Sequence, residues 1–450
     1  YLGHAVAAVA ADSVHLAEEA LAMIEVDYEV LPPVNDVLDA MKADSPVLHE
    51  RLATLSNPNL RPGGLRSEDD TGQGSNIANH FVFEIGDLEK GFQEADVVVE
   101  REYRTRAVHQ GYIEPQSATA LWNVDGNLTI WCSSQGHFNV RDQTATILGI
   151  PIATIKVVPM EIGGGFGGKT LIYLEPVAAL LAKKSGKPVK VAMSRADVFE
   201  ASGPTSGGSY RVKIGATKDG KITAADATLI YEAGAFPGSP VNPGCQCIFA
   251  PYIIENGRIE GYDIVLNKPK TAAYRAPGAP AAAFAAETVI DEIAEKLGMD
   301  PVAVRVLNDT QVDPEKPSRP FSQRQLNKCL ETGADKFGWS KRAKPGASRD
   351  GRWLIGMGVA AAFRNNINGP SAARVRLAKS GVVTVETDMT DIGTGTYTII
   401  AQTAAEMMGV PLRTLNPGRP SDKVQSLYYV RASANGPSRP GLSEDHPLAF

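Results

Sequence analysis

The sequence predicts a mixed α+β fold, in which short strands and helices alternate without a regular repeat. Five runs rich in β-branched residues are typical of strands, and Asp-Gly pairs at 125–126 and 219–220 lie between two pairs of them as hairpin turns. Apolar residues at helical spacing occupy the intervals between runs. The five runs are VVVEREY, ATALWNV, NLTIWCSS, RVKIGAT and KITAADATLIYEAG.

Composition divides the chain into six regions. The first carries a strand–helix–strand pattern, with Asp12 or Ser13 as the N-cap of its helix. Stretches rich in Pro, Gly and charge separate the larger bodies. The predicted regions are a small α/β unit at 1–50, a linker at 51–79, a first α+β domain at 80–308, a connector with one helix at 309–352, the start of a second α+β domain at 353–413 and an irregular tail at 414–450.

Two helical patterns are well delimited. The first runs from about Ala282 to Leu297 and stops at Gly298, where a left-handed residue ends the helix. The second, TYTIIAQTAAEMMG, follows a glycine turn that contains Gly393 and Gly395. A glycine turn before a helix exposes backbone N–H groups, so we expect this turn to contact a ligand.

A second glycine-rich segment lies between a β-branched run and a helical pattern that ends at Gly186. Its letters GGGFGGKT, residues 163–170, fit both G-x-G-x-x-G of dinucleotide-binding folds and G-x-x-x-x-G-K-[ST] of phosphate loops, which would use Lys169. The first pattern lacks its acidic residue about twenty positions on, and the second lacks a clear magnesium-binding Asp. A glycine turn that only packs strand against helix is the structural alternative. We expect the loop to bind a phosphate-bearing or oxyanion cofactor, which these patterns do not identify.

The composition disfavours several classes of partner. With 45 Lys and Arg against 51 Asp and Glu, the net charge of −6 favours neither nucleic acid nor an anionic membrane. No apolar run approaches the roughly 18–20 residues of a membrane span. Four cysteines without a C-x₂-C array disfavour an iron–sulfur cluster or structural zinc in this chain. Buried thiols in a reducing compartment indicate a cytoplasmic protein, and a periplasmic one stays open because the chain starts at Tyr1.

Eight motifs occur in order over roughly residues 1–413: GHAVAAVAADSVHLAEEAL, VDYEVLPPV, GDLEKGFQEADVVVEREY, SSQGHFNVRDQTATILGI, EIGGGFGGK, AYRAPGAP, FAAETVIDEIAEKLGMDP and DIGTGTYTIIAQTAAEMMGVPL. Together they resemble the large, molybdenum-binding subunit of the xanthine dehydrogenase and aldehyde oxidase family. Residues 1–300 are most similar to the carbon-monoxide-dehydrogenase-like branch, and later residues to bacterial aldehyde oxidoreductases. The resemblance implies a hammerhead-like small domain followed by two molybdenum-cofactor-binding domains, the second incomplete in an apparently truncated chain.

The resemblance also implies a molybdenum–molybdopterin cofactor, in its cytosine dinucleotide form. Gln135 resembles the glutamine that hydrogen-bonds an oxo ligand of molybdenum, and Arg275 resembles the arginine of a loop opposite the metal. No side chain is implied as a metal ligand. The other implied cofactor-binding residues are Gly164, Gly165, Phe166, Gly167 and Gly168 beside the metal's ligands, and Gly393, Gly395 and Thr396 on the pterin side.

Three of these residues have a structural alternative, and two positions depart from the family pattern. Gln135 suits a strand-end amide, Phe166 a core position, and Arg275 an ion pair with Glu287. Thr170 stands where the purine-oxidising branch has an acidic residue, which disfavours a purine substrate. Ala276 stands where the carbon monoxide branch has a copper-bridging cysteine, which disfavours that reaction.

The activity implied is oxidation of an aldehyde or an aromatic or N-heterocyclic compound, with water as oxygen donor. Electrons would pass to separate [2Fe–2S] and FAD subunits. The family's general base is a glutamate in a later glycine-rich segment, which this sequence lacks. Glu114, Glu161 and Glu175 lie outside that motif, so the catalytic residue stays unassigned. An inactive cofactor-binding or interaction fragment and a phosphate-loop nucleotidase are the alternatives.

Overall fold

The computed structural model describes residues 1–57, 65–66, 74–312, 318, 321, 323–364, 371–379, 381, 383–387 and 389–412. The predicted tail at 414–450 and parts of the predicted linker lie outside these residues. The helices described are α1 Val14–Ala22, α2 Val37–Ala40, α3 Leu88–Gln93, α4 His137–Leu148, α5 Glu175–Ser185, α6 Arg195–Ala201, α7 Val241–Cys247, α8 Ala279–Leu297, α9 Pro301–Leu307, α10 Leu326–Phe337 and α11 Thr396–Met408.

The strands described are β1 Leu55–Asn57, β2 Leu65–Arg66, β3 Ile77–Ile85, β4 Val97–Thr105, β5 Ser117–Trp122, β6 Leu128–Cys132, β7 Ile155–Pro159, β8 Val189–Ala192, β9 Gly208–Ala216, β10 Ile222–Gly234, β11 Gly257–Val265, β12 Ser348–Asp350, β13 Trp353–Ile355, β14 Arg374–Leu377 and β15 Val383–Glu386. They confirm the predicted mixed α+β class. Each of the five strand runs named from the sequence corresponds to one strand of the structure.

The larger sheet has seven strands within the described residues, in the order β2-β1-β3-β11-β10-β9-β4. β9 and β10 form the hairpin predicted at Asp219-Gly220, with Ile222 paired to Ala216. Almost every residue of β10 is buried, because α8 and α2 cover opposite faces of this sheet. Burial on both faces explains the long apolar run in that part of the sequence.

The smaller sheet has the order β7-β6-β5-β8 and positions the glycine loop. β5 and β6 are joined by the predicted Asp125-Gly126 turn, with Trp122 paired to Leu128. Helices α4 and α5 pack on this sheet over a core that includes Ile130, Val157 and Ala178. β6 and β7 run parallel, so their carboxyl ends lie at the same edge.

The two predicted helices with glycine stops are present, and α8 starts three residues earlier than expected. Gly298 is left-handed at φ 66° and ends α8, as predicted. A buried network then ties α8 to later parts of the chain. Glu287 accepts hydrogen bonds from Arg305 Nε at 2.8 Å and from the Ala361 N–H at 2.6 Å. Ala361 itself lies in the main core, 3% exposed.

The first region differs from its prediction. Helix α1 forms and Ser13 caps it, accepting a hydrogen bond from the Leu16 N–H. Residues 5–11 and 24–30, predicted as strands, are not strands in the structure. No described strand pairs with them, and a strand without a partner ladder leaves its backbone polar groups to water. α1 likewise has no buried residue.

Among the helices described, none combines the length and the apolar character that a membrane crossing requires. The described cysteines form no disulfide, with Cys132, Cys245 and Cys247 buried and Cys329 exposed. The prediction that cysteines are mostly buried thiols is therefore confirmed for three of them.

Candidate functional site

The parallel pair β6 and β7 brings two predicted site elements together. Gln135 follows the end of β6, and the glycine loop at 163–168 follows the end of β7. Because the carboxyl ends of parallel strands meet at one sheet edge, these two segments become neighbours. The Gln135 N–H donates to the Lys169 carbonyl at 2.8 Å, which fixes the two segments in register.

The Gln135 side chain is oriented by the loop. Its Oε1 accepts hydrogen bonds from the Gly167 N–H at 2.9 Å and the Lys169 N–H at 3.3 Å. Because Oε1 is used as an acceptor, the Nε2 amide group is the donor left for another molecule. A Cβ atom at Gly165 would lie 2.4 Å from Gln135 Oε1, so a side chain at that position would push the Gln135 amide out of its place.

Most amides of the glycine loop serve the loop itself. The N–H groups of Gly163, Gly167, Gly168, Lys169 and Thr170 have acceptors within the protein. In the described structure, the N–H groups of Gly164, Gly165 and Phe166 have none. The donors available to an anion are therefore the three at the tip of the loop.

The expectation that the loop opens directly into a helix is wrong. A single 3₁₀ turn covers Gly168–Thr170, and α5 begins only at Glu175. Pro176 explains the delay, because proline fits only the first turn of a helix and here occupies its second position. The N-terminus of α5 is therefore several residues from the loop, so any anion would meet individual loop amides rather than a helix end.

Two strained turns meet at the loop. Phe166 has φ 52°, Arg275 φ 26° and Ala276 φ 62°, which are the positive φ values among non-glycine residues of the described chain. The Arg275 N–H donates to the Phe166 carbonyl at 2.9 Å. Such conformations cost of order 1–3 kcal/mol each and cluster at ligand sites. Phe166 is 42% exposed, so it is not the core residue of the structural alternative.

Lys169 does not act as a phosphate-loop lysine. Its side chain is 1% exposed, its Nζ lies 2.6 Å from Glu114 Oε2, and it sits over the Tyr112 ring at 5.0 Å. Burial lowers the pKa of Lys169, and the Glu114 carboxylate opposes that effect. A lysine directed inward against a carboxylate cannot reach a nucleotide phosphate, so the nucleotidase hypothesis is wrong.

Sequence reasoning named Glu114 only as a carboxylate outside the family motif, and missed the support that it and Gln110 give to the loop. Glu114 Oε2 also accepts the Gly163 N–H at 2.7 Å, so one carboxylate holds both ends of the loop. Gln110 Nε2 donates to the Ala273 carbonyl at 2.9 Å and supports the turn that carries Arg275. These residues lie between strands in a stretch without periodicity, and no sequence pattern marks them.

The turn at Gly393 to Thr396 is held by its own carboxylate. Asp391 accepts hydrogen bonds from the N–H groups of Gly393 at 2.8 Å and Thr394 at 3.1 Å. Burial would raise the pKa of Asp391, but these N–H donors lower it below its usual range. A Cβ atom at Gly393 or Gly395 would meet no described atom within 4 Å. Among the hydrogen bonds described, none links this turn to Gln135 or Phe166.

The proposed alternative pair of Arg275 with Glu287 is also wrong. Glu287 is buried and bound to Arg305, Tyr252 and the Ala361 N–H, whereas the Arg275 side chain is exposed. Arg275 is bonded to the loop through its backbone N–H and has an exposed side chain, and the loop tip has three free amides, so this edge presents several hydrogen-bond donors. Such a surface suits an anionic ligand with several oxygen or sulfur acceptors.

Comparison with known families identifies the ligand. Residues 70–309 match the molybdopterin cofactor-binding domain, and residues 332–420 match a second domain of the same description. The chain belongs to the xanthine dehydrogenase and aldehyde oxidase family of molybdopterin-binding subunits. The matched regions contain every residue predicted to bind the cofactor, and the family assignment confirms molybdenum–molybdopterin as the cofactor class.

Individual relatives agree with the family. The aldehyde oxidoreductase molybdenum-binding subunit PaoC of Escherichia coli is 45% identical over 333 residues, which is 73% of this chain and 45% of PaoC. The nicotinate dehydrogenase large molybdopterin subunit of Eubacterium barkeri is 31% identical over 314 residues, covering 69% of this chain and 68% of that subunit. This family member therefore spans less than half the length of its Escherichia coli relative.

The fold is shared with solved structures. The aldehyde oxidoreductase of Desulfovibrio desulfuricans superposes with a TM-score of 0.74 at 25% identity, over 90% of this chain and 44% of that enzyme. This similarity supports the mixed α+β architecture as that of the molybdopterin-binding domains.

Proposed function

We propose that this chain is the cofactor-binding subunit of a molybdenum hydroxylase that oxidises an aldehyde or an aromatic or N-heterocyclic compound, with water as oxygen donor. The observation that carries the proposal is the donor-rich edge formed by Gln135, the tip of the glycine loop and the Arg275 turn. Relatives named as an aldehyde oxidoreductase subunit and a nicotinate dehydrogenase subunit support the two substrate classes.

The residues at this edge fit the cofactor. Molybdopterin carries its metal on dithiolene sulfurs, so the protein needs donors to oxygen and sulfur rather than metal ligands. Gln135 Nε2 and the N–H groups of Gly164 to Phe166 supply such donors, and the glycines leave room for close approach of the ligand. When bound, the cofactor would supply the two-electron redox chemistry of the reaction.

The chain's own residues would position and shield the ligand. Gln135 would orient the ligand oxygen that its amide contacts, and Phe166, being exposed, would pack an apolar ring beside it. Arg275 would contribute positive charge from the opposite turn. We assign Gly393, Gly395 and Thr396 to the pterin side, with the open space beside both glycines as support.

The finer details rest on the family. We propose the cytosine dinucleotide form of the cofactor, and separate [2Fe–2S] and FAD subunits as electron acceptors, with membership of the family as the support for both. Three buried cysteines outside any disulfide agree with a cytoplasmic location for the complex, and a periplasmic one is the alternative.

A cofactor-binding role without catalysis is the second candidate. Glu114 is bound to Lys169 and the Gly163 N–H, and Glu175 is buried at the start of α5, so neither carboxylate is free to act as a general base. In that case the chain would bind the cofactor and depend on another segment for its base.

The test is cofactor analysis of the full chain, co-produced with the molybdenum cofactor pathway and the partner subunits. We expect molybdenum and a released cytidine nucleotide in equal amounts, and loss of most of both in Gln135→Met, which removes the amide. Gln93→Met, at an exposed helical glutamine, is the matched control and should retain both. A folded complex without molybdenum or organic phosphate would refute the proposal.

A complex that contains the cofactor but oxidises neither an aromatic aldehyde nor nicotinate would support the binding role and favour the second candidate, binding without catalysis. The two candidates are therefore separated by activity, whereas the shared binding role is tested by composition alone.

A further inference from the structure

A small polar cavity lies next to the segment that follows the glycine loop, with Lys169 and Leu171 in its wall. It is lined in part by Gln116, Ser133, Lys169 and Glu175. Gln116 directly precedes β5 and Ser133 directly follows β6, and these strands are antiparallel neighbours. Their ends therefore place both side chains at the same end of the smaller sheet, where Glu175 begins α5.

Two polar atoms on this cavity have no partner in the protein. They are Gln116 Oε1 and Ser133 Oγ. Gln116 is 6% exposed and Ser133 is 8% exposed, so bulk water does not solvate them freely. A buried polar atom without a hydrogen bond costs roughly 1–3 kcal/mol, and native proteins rarely leave two such atoms at one cavity.

The other polar groups at the cavity are already engaged. Gln116 Nε2 donates to the Tyr112 hydroxyl, which fixes the amide so that Oε1 is the atom in need of a donor. Ser134 Oγ donates to the Lys169 carbonyl at 3.2 Å, and Glu175 Oε2 accepts the Tyr173 N–H at 3.0 Å. The missing partner must therefore donate to Gln116 Oε1 and also suit a hydroxyl.

Size and charge restrict the occupant. The cavity has room for about one water molecule, the least that a polar site needs to be hydrated. A cation is disfavoured because the cationic residue Lys169, 1% exposed, already lines the cavity. An anion is disfavoured because Gln116 Oε1 and the Glu175 side chain present acceptors. Water, with two donors and two acceptors, meets both unpartnered atoms.

We propose that this cavity is a binding site for one water molecule, which donates a hydrogen bond to Gln116 Oε1 and shares another with Ser133 Oγ. The water extends an existing hydrogen-bonded chain. His109 Nε2 lies 2.8 Å from Ser202 Oγ, which lies 3.0 Å from the Tyr112 hydroxyl, and that hydroxyl contacts Gln116. These hydrogen bonds then run from half-buried His109 to Ser133 at the end of β6, two residues before Gln135.

The direction in which Ser133→Ala changes amide hydrogen exchange tests the site. If Ser133 Oγ is bonded to water, Ser133→Ala removes a hydrogen bond, and the amides of β5 and β6 should exchange with solvent about fivefold faster. If that hydroxyl is unpartnered, its removal should leave exchange unchanged or slower. Thr144→Val is the matched control, because Thr144 Oγ1 is also buried and unpartnered but does not line the cavity. We expect no acceleration in that variant.

A crystal structure of the full chain at high resolution is the second measurement, and it does not depend on any variant. We expect one density peak within hydrogen-bonding distance of Gln116 Oε1 and Ser133 Oγ, without anomalous signal after exchange into rubidium. An empty cavity, or a rubidium peak, would overturn the proposal. The same amide exchange rates in Ser133→Ala and in Thr144→Val would overturn it as well.

Discussion

Glu114 and Lys169 provide the sharpest test of how the glycine loop is held. Lys169 is 1% exposed and Glu114 is 32% exposed, so removing the carboxylate leaves a buried ammonium without its counter-ion. Breaking a buried pair costs roughly 3–5 kcal/mol, and water that reaches Glu114 favours the lower end. We therefore expect Glu114→Gln to destabilise the loop by about 3 kcal/mol.

Lys169→Met should cost less, about 1 kcal/mol, because the remaining carboxylate keeps the Gly163 N–H and part of its hydration. The double variant, Glu114→Gln with Lys169→Met, buries no charge and should cost about 2 kcal/mol. The two single changes together cost about 4 kcal/mol, so the coupling between the two side chains is about 2 kcal/mol. That coupling corresponds to roughly a thirtyfold difference in the local opening constant.

Amide hydrogen exchange of a peptide that covers residues 163–169 measures this local opening directly. Asp12→Asn is the control, since the Asp12 and Lys187 side chains of that ion pair are 80% and 66% exposed. It should leave exchange at the loop unchanged. Additive costs in the double variant, or equal costs in the two single variants, would refute the idea that the pair clamps the loop.

Two further predictions concern the loop and its support. Gly165→Ala places a methyl 2.4 Å from Gln135 Oε1 and should abolish cofactor retention, measured as molybdenum per chain, whereas Gly333→Ala, in open space on α10, should retain it. Burial, and then the charge of Arg195, hold the pKa of His109 below its ordinary 6.5. Just below pH 6.5 the unfolded state therefore binds more protons than the native state, and the native state loses stability as the pH falls. His109→Gln should flatten the fall in melting temperature between about pH 7 and 5, and an unchanged slope would contradict this.

Local patterns in the sequence were sufficient for the elements that depend on local chemistry. Asp-Gly pairs marked both hairpins, and Gly298 marked the end of α8, because each needs a residue that tolerates positive φ. The late start of α5 was also readable, since Pro176 can occupy only the first helical turn. The prediction of two strands in the first region was wrong, because periodicity shows which face of a segment is apolar but not whether a partner strand exists.

The candidate site was only partly readable. The parallel β6 and β7 pair, which joins Gln135 to the glycine loop, could be inferred only through family resemblance. The inward direction of Lys169 depends on Glu114, which lies 55 positions earlier in an irregular stretch. Contacts of this kind depend on tertiary packing, so a pattern confined to GGGFGGKT suggested a phosphate loop that the fold does not make.

Glu287 has a practical consequence for dissecting the molecule. Its carboxylate receives the Ala361 amide, and Ala361 fills part of the core beneath α8. A protein shortened at residue 352, where composition suggests a boundary, would leave a vacant space and one missing donor inside its first half. A chain cut beyond residue 361 keeps Ala361 in the core, so the first folded unit extends past the boundary that composition suggests at residue 352.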